Sequence, residues 1–159
     1  MASFRISLPL EISAALLFDA MTDPEMQQRH ALAFKATKAK ATRREEKQAL
    51  LLELELEEPA RSGGGIDRST VSFTWDPAQY TATFSRRDHQ HGDRVKVTGE
   101  IRIEATADHA CVVHERCDVD IAIPLIGKTM ARKIAAAMER KRATVYQRWL
   151  ELARRTTSA

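Results

Sequence analysis

Residues 123–155 read IPLIGKTMARKIAAAMERKRATVYQRWLELARR, and this stretch sets the architecture. Pro124 and Gly127 end a strand and open a long helix from Lys128 to Arg155. Met130, Ile134, Met138, Val145, Trp149 and Leu152 fall mostly three or four residues apart, which places them on one helix face. At 1.5 Å per residue the helix spans roughly 40 Å, too long to be a minor decoration on a chain of 159 residues. Ala135, Ala136 and Ala137 put small side chains at this stripe, and the two methionines add flexible ones. Such a face laid across a sheet is expected to line a cavity.

Upstream, the chain alternates. Phe4, Ile6 and Leu8 mark a first strand over residues 2–8, ended by Pro9. Ser13 suits the N-cap of a helix whose inner face is Ala14, Leu17, Phe18 and Met21. Thr22-Asp23-Pro24 breaks it and starts a second short helix, from Pro24 to Ala33. Lys35 to Glu45 alternates small and basic residues. Leu50, Leu52, Leu54 and Leu56 then alternate with glutamates, and this period of two outweighs the helix propensity of Leu and Glu. Pro59 to Asp67, with Gly63-Gly64-Gly65, is a flexible connection. Further strands carry Val71, Phe73 and Trp75; Tyr80, Ala82 and Phe84; Val95, Val97, Gly99, Ile101 and Ile103; and finally Cys111 to Ile123. Six consecutive strands with short connections predict an antiparallel sheet with one solvated face. The long helix is the one element large enough to cover the other face. The fold class is therefore α+β: a curved seven-stranded sheet around a C-terminal helix, with two short helices after the first strand. Residues 1–155 form a single domain and 156–159 a frayed tail.

Composition excludes several classes. No window reaches the roughly 20 apolar residues of a membrane span, and the N-terminal MASFRISLPLEIS lacks the apolar core of a signal peptide. A cytoplasmic protein is expected. Cys111 and Cys117 sit about 20 Å apart along one strand, too far to bridge each other, and read as buried thiols. No cofactor or metal motif is readable: His89 and His91 share a polar hairpin loop but lack a third ligand fixed by spacing. No catalytic triad is readable, and no nucleic-acid partner is expected.

This order resembles the START-like (SRPBCC) superfamily, the helix-grip fold of the birch-pollen-allergen and polyketide-cyclase families. The resemblance rests on Ile12 to Phe18 with Met21-Thr22-Asp23-Pro24, and on the segments Val97–Glu104 and Ile121–Lys128. Trp75 and Trp149 also match. It covers nearly the whole chain and is similar most of all to an uncharacterised bacterial branch. The superfamily binds hydrophobic ligands between sheet and helix, and some members are enzymes, so the resemblance implies an apolar pocket and brings no catalytic residues.

The candidate cavity set combines the two faces: Phe18, Val71, Phe73, Trp75, Tyr80, Phe84, Arg86, Val97, Ile101, Val113, Glu115, Cys117, Met130, Ile134, Met138 and Trp149. Glu115 interrupts an apolar strand face. It is a head-group anchor or an acid/base if buried beside Arg86, and unremarkable if a bulge turns it outward. The helix's outer face carries Arg132, Lys133, Arg140, Lys141, Arg142, Arg148, Arg154 and Arg155 against Glu139 and Glu151. That is a solvated face or one attracted to anionic membrane. The leading expectation is non-enzymatic binding, extending to transfer, of a lipid or other hydrophobic small molecule. The alternatives are a cyclase, aromatase or dehydratase on a polyketide-type substrate, and an interaction module with a filled core.

Overall fold

Alternating apolar and polar side chains build seven strands, and three helices occupy the positions the sequence assigns them. The computed structural model describes residues 1–60 and 64–157. In chain order the elements are β1 (Ala2–Leu10), α1 (Ala14–Thr22), α2 (Pro24–Leu32), β2 (Lys38–Glu46), β3 (Ala49–Pro59), β4 (Ile66–Asp76), β5 (Thr81–Asp88), β6 (Gly92–Ala107), β7 (Ala110–Ile121) and α3 (Gly127–Thr157). The strands form one antiparallel sheet in the order β1-β7-β6-β5-β4-β3-β2. It is an α+β helix-grip fold.

Local chemistry explains the boundaries. The Ser13 hydroxyl accepts from the Leu16 N–H at 3.2 Å and caps α1. Pro24 opens α2, where a missing N–H costs nothing. In β3, Leu50, Leu52, Leu54 and Leu56 are buried while Glu53 and Glu55 face water. Burying each leucine stabilises the sheet by roughly 1.5–3 kcal/mol, which outweighs the few tenths set by propensity.

Three expectations shift. The first strand runs through Pro9 to Leu10, because β1 is an edge and Pro9 is spared a ladder bond on its open side. Tyr80 lies in the turn before β5, with φ of 54°. The helix runs to Thr157, two residues past the expected end at Arg155. The glycine expected at the centre of a flexible link, Gly63, and the tail residues Ser158 and Ala159 lie outside the described residues.

The main core joins alternate strand positions to one face of α3. Leu17, Leu52, Trp75, Val113, Cys117, Val119, Tyr146 and Leu152 are each at most 2% exposed. α3 packs against β1, β7 and α1, and α2 packs against β2. At Gly99 the Phe84 ring and the Arg116 carbonyl lie where a Cβ would stand, so the strand needs glycine there. Cys111 and Cys117 are both free and buried.

Candidate functional site

The interior between sheet and α3 holds one buried ionic cluster among the described residues. Glu115 lies in unbroken register, between Ile6 on β1 and Ile101 on β6, and is 5% exposed. The bulge in this ladder falls at Ala105 to Ala107, so it does not turn Glu115 outward. Arg142 on α3 donates from Nε to one carboxylate oxygen, and the Tyr146 hydroxyl donates to the other at 3.0 Å. Arg142 also sits over the Phe4 ring, 5.6 Å from its centroid.

Burial works against the Arg142 guanidinium, but the Glu115 carboxylate, with Tyr146 and Cys117, more than offsets it and raises the group above its ordinary value. Burial, reinforced by the Glu115 carboxylate, pushes the Tyr146 hydroxyl well above its ordinary value. Tyr146 therefore remains a donor. Burial likewise pushes the nearby Cys117 thiol up to about 11.

Arg86 is not the partner of Glu115. Its guanidinium pairs with Glu58 at 2.9 Å, on the more exposed side of the same inner face. The two residues that do complete the cluster, Arg142 and Tyr146, escaped the sequence reading, which placed Arg142 on the outer, basic face. Ala136 is also displaced from its expected position: it is exposed, while Ala131 and Ala135 are buried in the core.

The other expected residues divide by burial. Phe18, Trp75, Phe84, Val97, Ile101, Val113, Cys117 and Trp149 belong to the buried core. Phe73, Tyr80, Met130, Ile134 and Met138 pack against it but remain partly exposed. Val71 sits with a small separate cluster around Leu54 and Leu56. Phe18 meets the Trp75 ring edge-on at 5.4 Å and Tyr80 at 4.8 Å. The Trp75 indole N–H is buried with no acceptor among the described residues.

α2 closes one side of this interior. His30 stacks on Trp149 with ring centroids 4.1 Å apart, and its Nε2 donates to the Val145 carbonyl at 3.0 Å. Burial lowers its pKa to about 4, and the Arg148 and Arg142 charges add to that effect.

On the opposite face of the sheet lies a broad groove of about 1360 Å³. Its lining includes Arg5, Ser7, Thr83, Arg102, His114 and Arg116, at positions that alternate with the buried set. Arg102 pairs with Glu104 and Arg116 with Asp118, each at 3.3 Å. This is a solvated sheet surface with balanced charges. Of the expected cavity residues, it touches Trp75, Ile101 and Glu115. In the β5–β6 hairpin, His89 meets Thr70 and His91 meets Asp88, at 2.8 and 2.9 Å. Among the described residues, no group of three or more metal-ligating side chains assembles.

Residues 5–150 match the family described as "Protein of unknown function (DUF2505)". The chain belongs to that family. No curated protein matches it in sequence. Among solved structures it is similar to ZhuI aromatase/cyclase from Streptomyces sp. R1128, at 17% identity and a TM-score of 0.69, covering 98% of this chain and 95% of that one. A Thermus thermophilus protein, TTHA0849, aligns at 13% identity and a TM-score of 0.73, covering 98% and 99%. A START superfamily protein from Mycobacterium smegmatis aligns at 16% identity and 0.66, covering 94% and 97%. At these identities the likeness establishes the START-like helix-grip fold. No described helix is long and apolar enough to cross a membrane.

Proposed function

We propose that this protein binds a lipid or similar hydrophobic small molecule between the inner face of the sheet and α3, without catalysing a reaction. The observation that carries this reading is a set of apolar side chains on the inner face that the fold leaves partly exposed. Phe73 and Tyr80 on the sheet side and Met130, Ile134 and Met138 on α3 all touch the core yet stay accessible. Burial of a ligand's apolar body against them is favourable at about 25 cal/mol per Å² removed from water. The Trp75 N–H, with no acceptor among the described residues, offers an orienting contact to a ligand oxygen. The fold of the similar proteins, one of them a START superfamily protein, supports a small-molecule partner in general terms.

A second reading, an acid–base enzyme on a polyketide-type substrate, draws on the buried Glu115 beside the Tyr146 hydroxyl. The similar ZhuI fold carries the name aromatase/cyclase. Against it, both carboxylate oxygens are already occupied by Arg142 and Tyr146.

Native mass spectrometry of the purified protein, followed by organic extraction, tests the binding reading. A co-purified fatty acid, phospholipid or isoprenoid is expected, as is uptake of a fluorescent fatty-acid probe. Ile134→Trp should crowd this face and reduce probe affinity at least about tenfold in a folded protein, the scale of losing one buried aliphatic contact. Bare protein that takes up no probe overturns the reading.

A further inference from the structure

The link between β7 and α3 holds two large apolar side chains in water. Leu125 is fully exposed, at 103% of its reference surface, and Ile126 is 52% exposed. Leu125 also has φ of 72°, the left-handed region that disfavours any side chain with a Cβ. The turn is nonetheless tied down. Ala122 N–H donates to the Arg94 carbonyl at 2.7 Å, Ile126 N–H to Pro124 at 2.9 Å, and Gly127 N–H to Ile123 at 2.9 Å. A firmly built turn that presents a strained, uncovered leucine points to an external partner.

The surroundings identify that partner by its charge. β7 ends at Ile121 opposite Val95, so the first residues of β6 and the first turns of α3 share this end of the sheet. Arg94, Lys96, Lys128, Arg132 and Lys133 lie there, all exposed, and none is paired with a carboxylate among the described residues. On these segments the acidic groups are Asp93 and Asp120; farther along the same end, on β3 to β5, lie Asp67, and Glu57, Glu58 and Asp88, which pair with Arg68, Arg86 and His91. The N-terminal end of the α3 dipole adds partial positive charge. Ile66, 57% exposed at the first residue of β4, lies at the same end. An apolar tip inside a basic collar complements a surface with anionic head groups over an acyl interior. A protein partner with an apolar pocket would not require that collar.

We propose that the Leu125–Ile126 turn docks the protein onto anionic lipid bilayers, with the two side chains entering the acyl layer. The proposal rests on the lipid-binding reading and names where cargo would be exchanged. It also assigns the membrane contact to this end of the molecule rather than to the length of α3.

Co-sedimentation of the full chain with vesicles provides the test. One set is phosphatidylcholine alone and the other is phosphatidylcholine with phosphatidylserine. Wild-type protein should pellet with the anionic vesicles and be released by added salt. Leu125→Asp and Ile126→Asp should each weaken binding about tenfold or more, the order set by losing one buried aliphatic side chain. Leu125→Gly, which suits the positive φ, should lose binding while the protein stays folded. Uptake of a water-dispersed fluorescent fatty acid, measured without vesicles, should be unchanged in all three variants. Loss of that uptake in wild type would count against the ligand reading alone. The docking proposal is overturned if wild type ignores anionic vesicles, if Leu125→Asp binds them as well as wild type, or if Leu125→Asp merely converts a dimer into a monomer.

Discussion

Arg142→Met isolates the energetics of the buried cluster. The change removes a charge and a hydrogen bond while keeping a long apolar stem. Glu115, with a side chain 4% exposed, then retains Tyr146 as its one described donor. A buried carboxylate left without its counter-charge is strongly destabilising. A loss of about 3 kcal/mol is expected, at the lower end of the range for broken buried pairs. Urea unfolding at pH 7 reads the effect through the fluorescence of Trp75 and Trp149, which are buried. The double variant Glu115→Leu/Arg142→Met should regain most of the loss, because no unpaired charge remains. A single-variant loss under about 0.5 kcal/mol, the scale of a surface substitution, would refute the reasoning. So would a double variant no more stable than Arg142→Met alone.

Two further outcomes follow from the same interior. His30 has a folded pKa lowered to about 4, so its unfolded form binds a proton more readily between about 4 and 6.5. Its contribution is complete above about pH 6.5 and is lost as pH falls toward 4, by up to about 3 kcal/mol. His30→Phe, which keeps a ring against Trp149, should flatten that part of the stability–pH curve; equal slopes in the two proteins would contradict this. Gly99→Ala places a methyl group against the Phe84 ring and the Arg116 carbonyl, and should destabilise by about 1–3 kcal/mol in thermal melts. An unchanged melting temperature would mean that the ring yields without cost.

The fold was legible because burial patterns at period two and period 3.6 dominate this chain. The row of leucines at 50, 52, 54 and 56 specified a strand against its own helix propensity. The interior cluster was half legible. Glu115 stood out as a charge on an apolar face, but its partners did not. The signal was present in α3: the apolar stripe steps seven residues from Met138 to Val145, and Arg142 falls in the gap, four after one and three before the other. A charge on the buried stripe of a helix must find a counter-charge, and Glu115 was the one available. Counting Arg142 with the surface cations hid this. Ala136 was misplaced for a related reason, since three consecutive alanines carry no phase information and burial selects Ala135. Pro9 showed that a breaker limits a strand only where both edges are paired.

The neighbour relation of β1 and β7 shapes how the chain reaches this state. Ser3 meets Asp118 across that pair, 115 positions away in sequence, whereas β2 to β7 form a run of consecutive hairpins. During synthesis at roughly 5–20 residues per second, the first strand waits many seconds before its partner exists. The hairpins can close locally as they emerge, but sheet completion is a long-range step with a large loop-closure cost. In that interval Phe4, Ile6 and Leu8 present an unpaired apolar edge, a surface for chaperones or for aggregation. Mutations that slow the docking of β7 should therefore reduce soluble yield more than they reduce the stability of the finished protein.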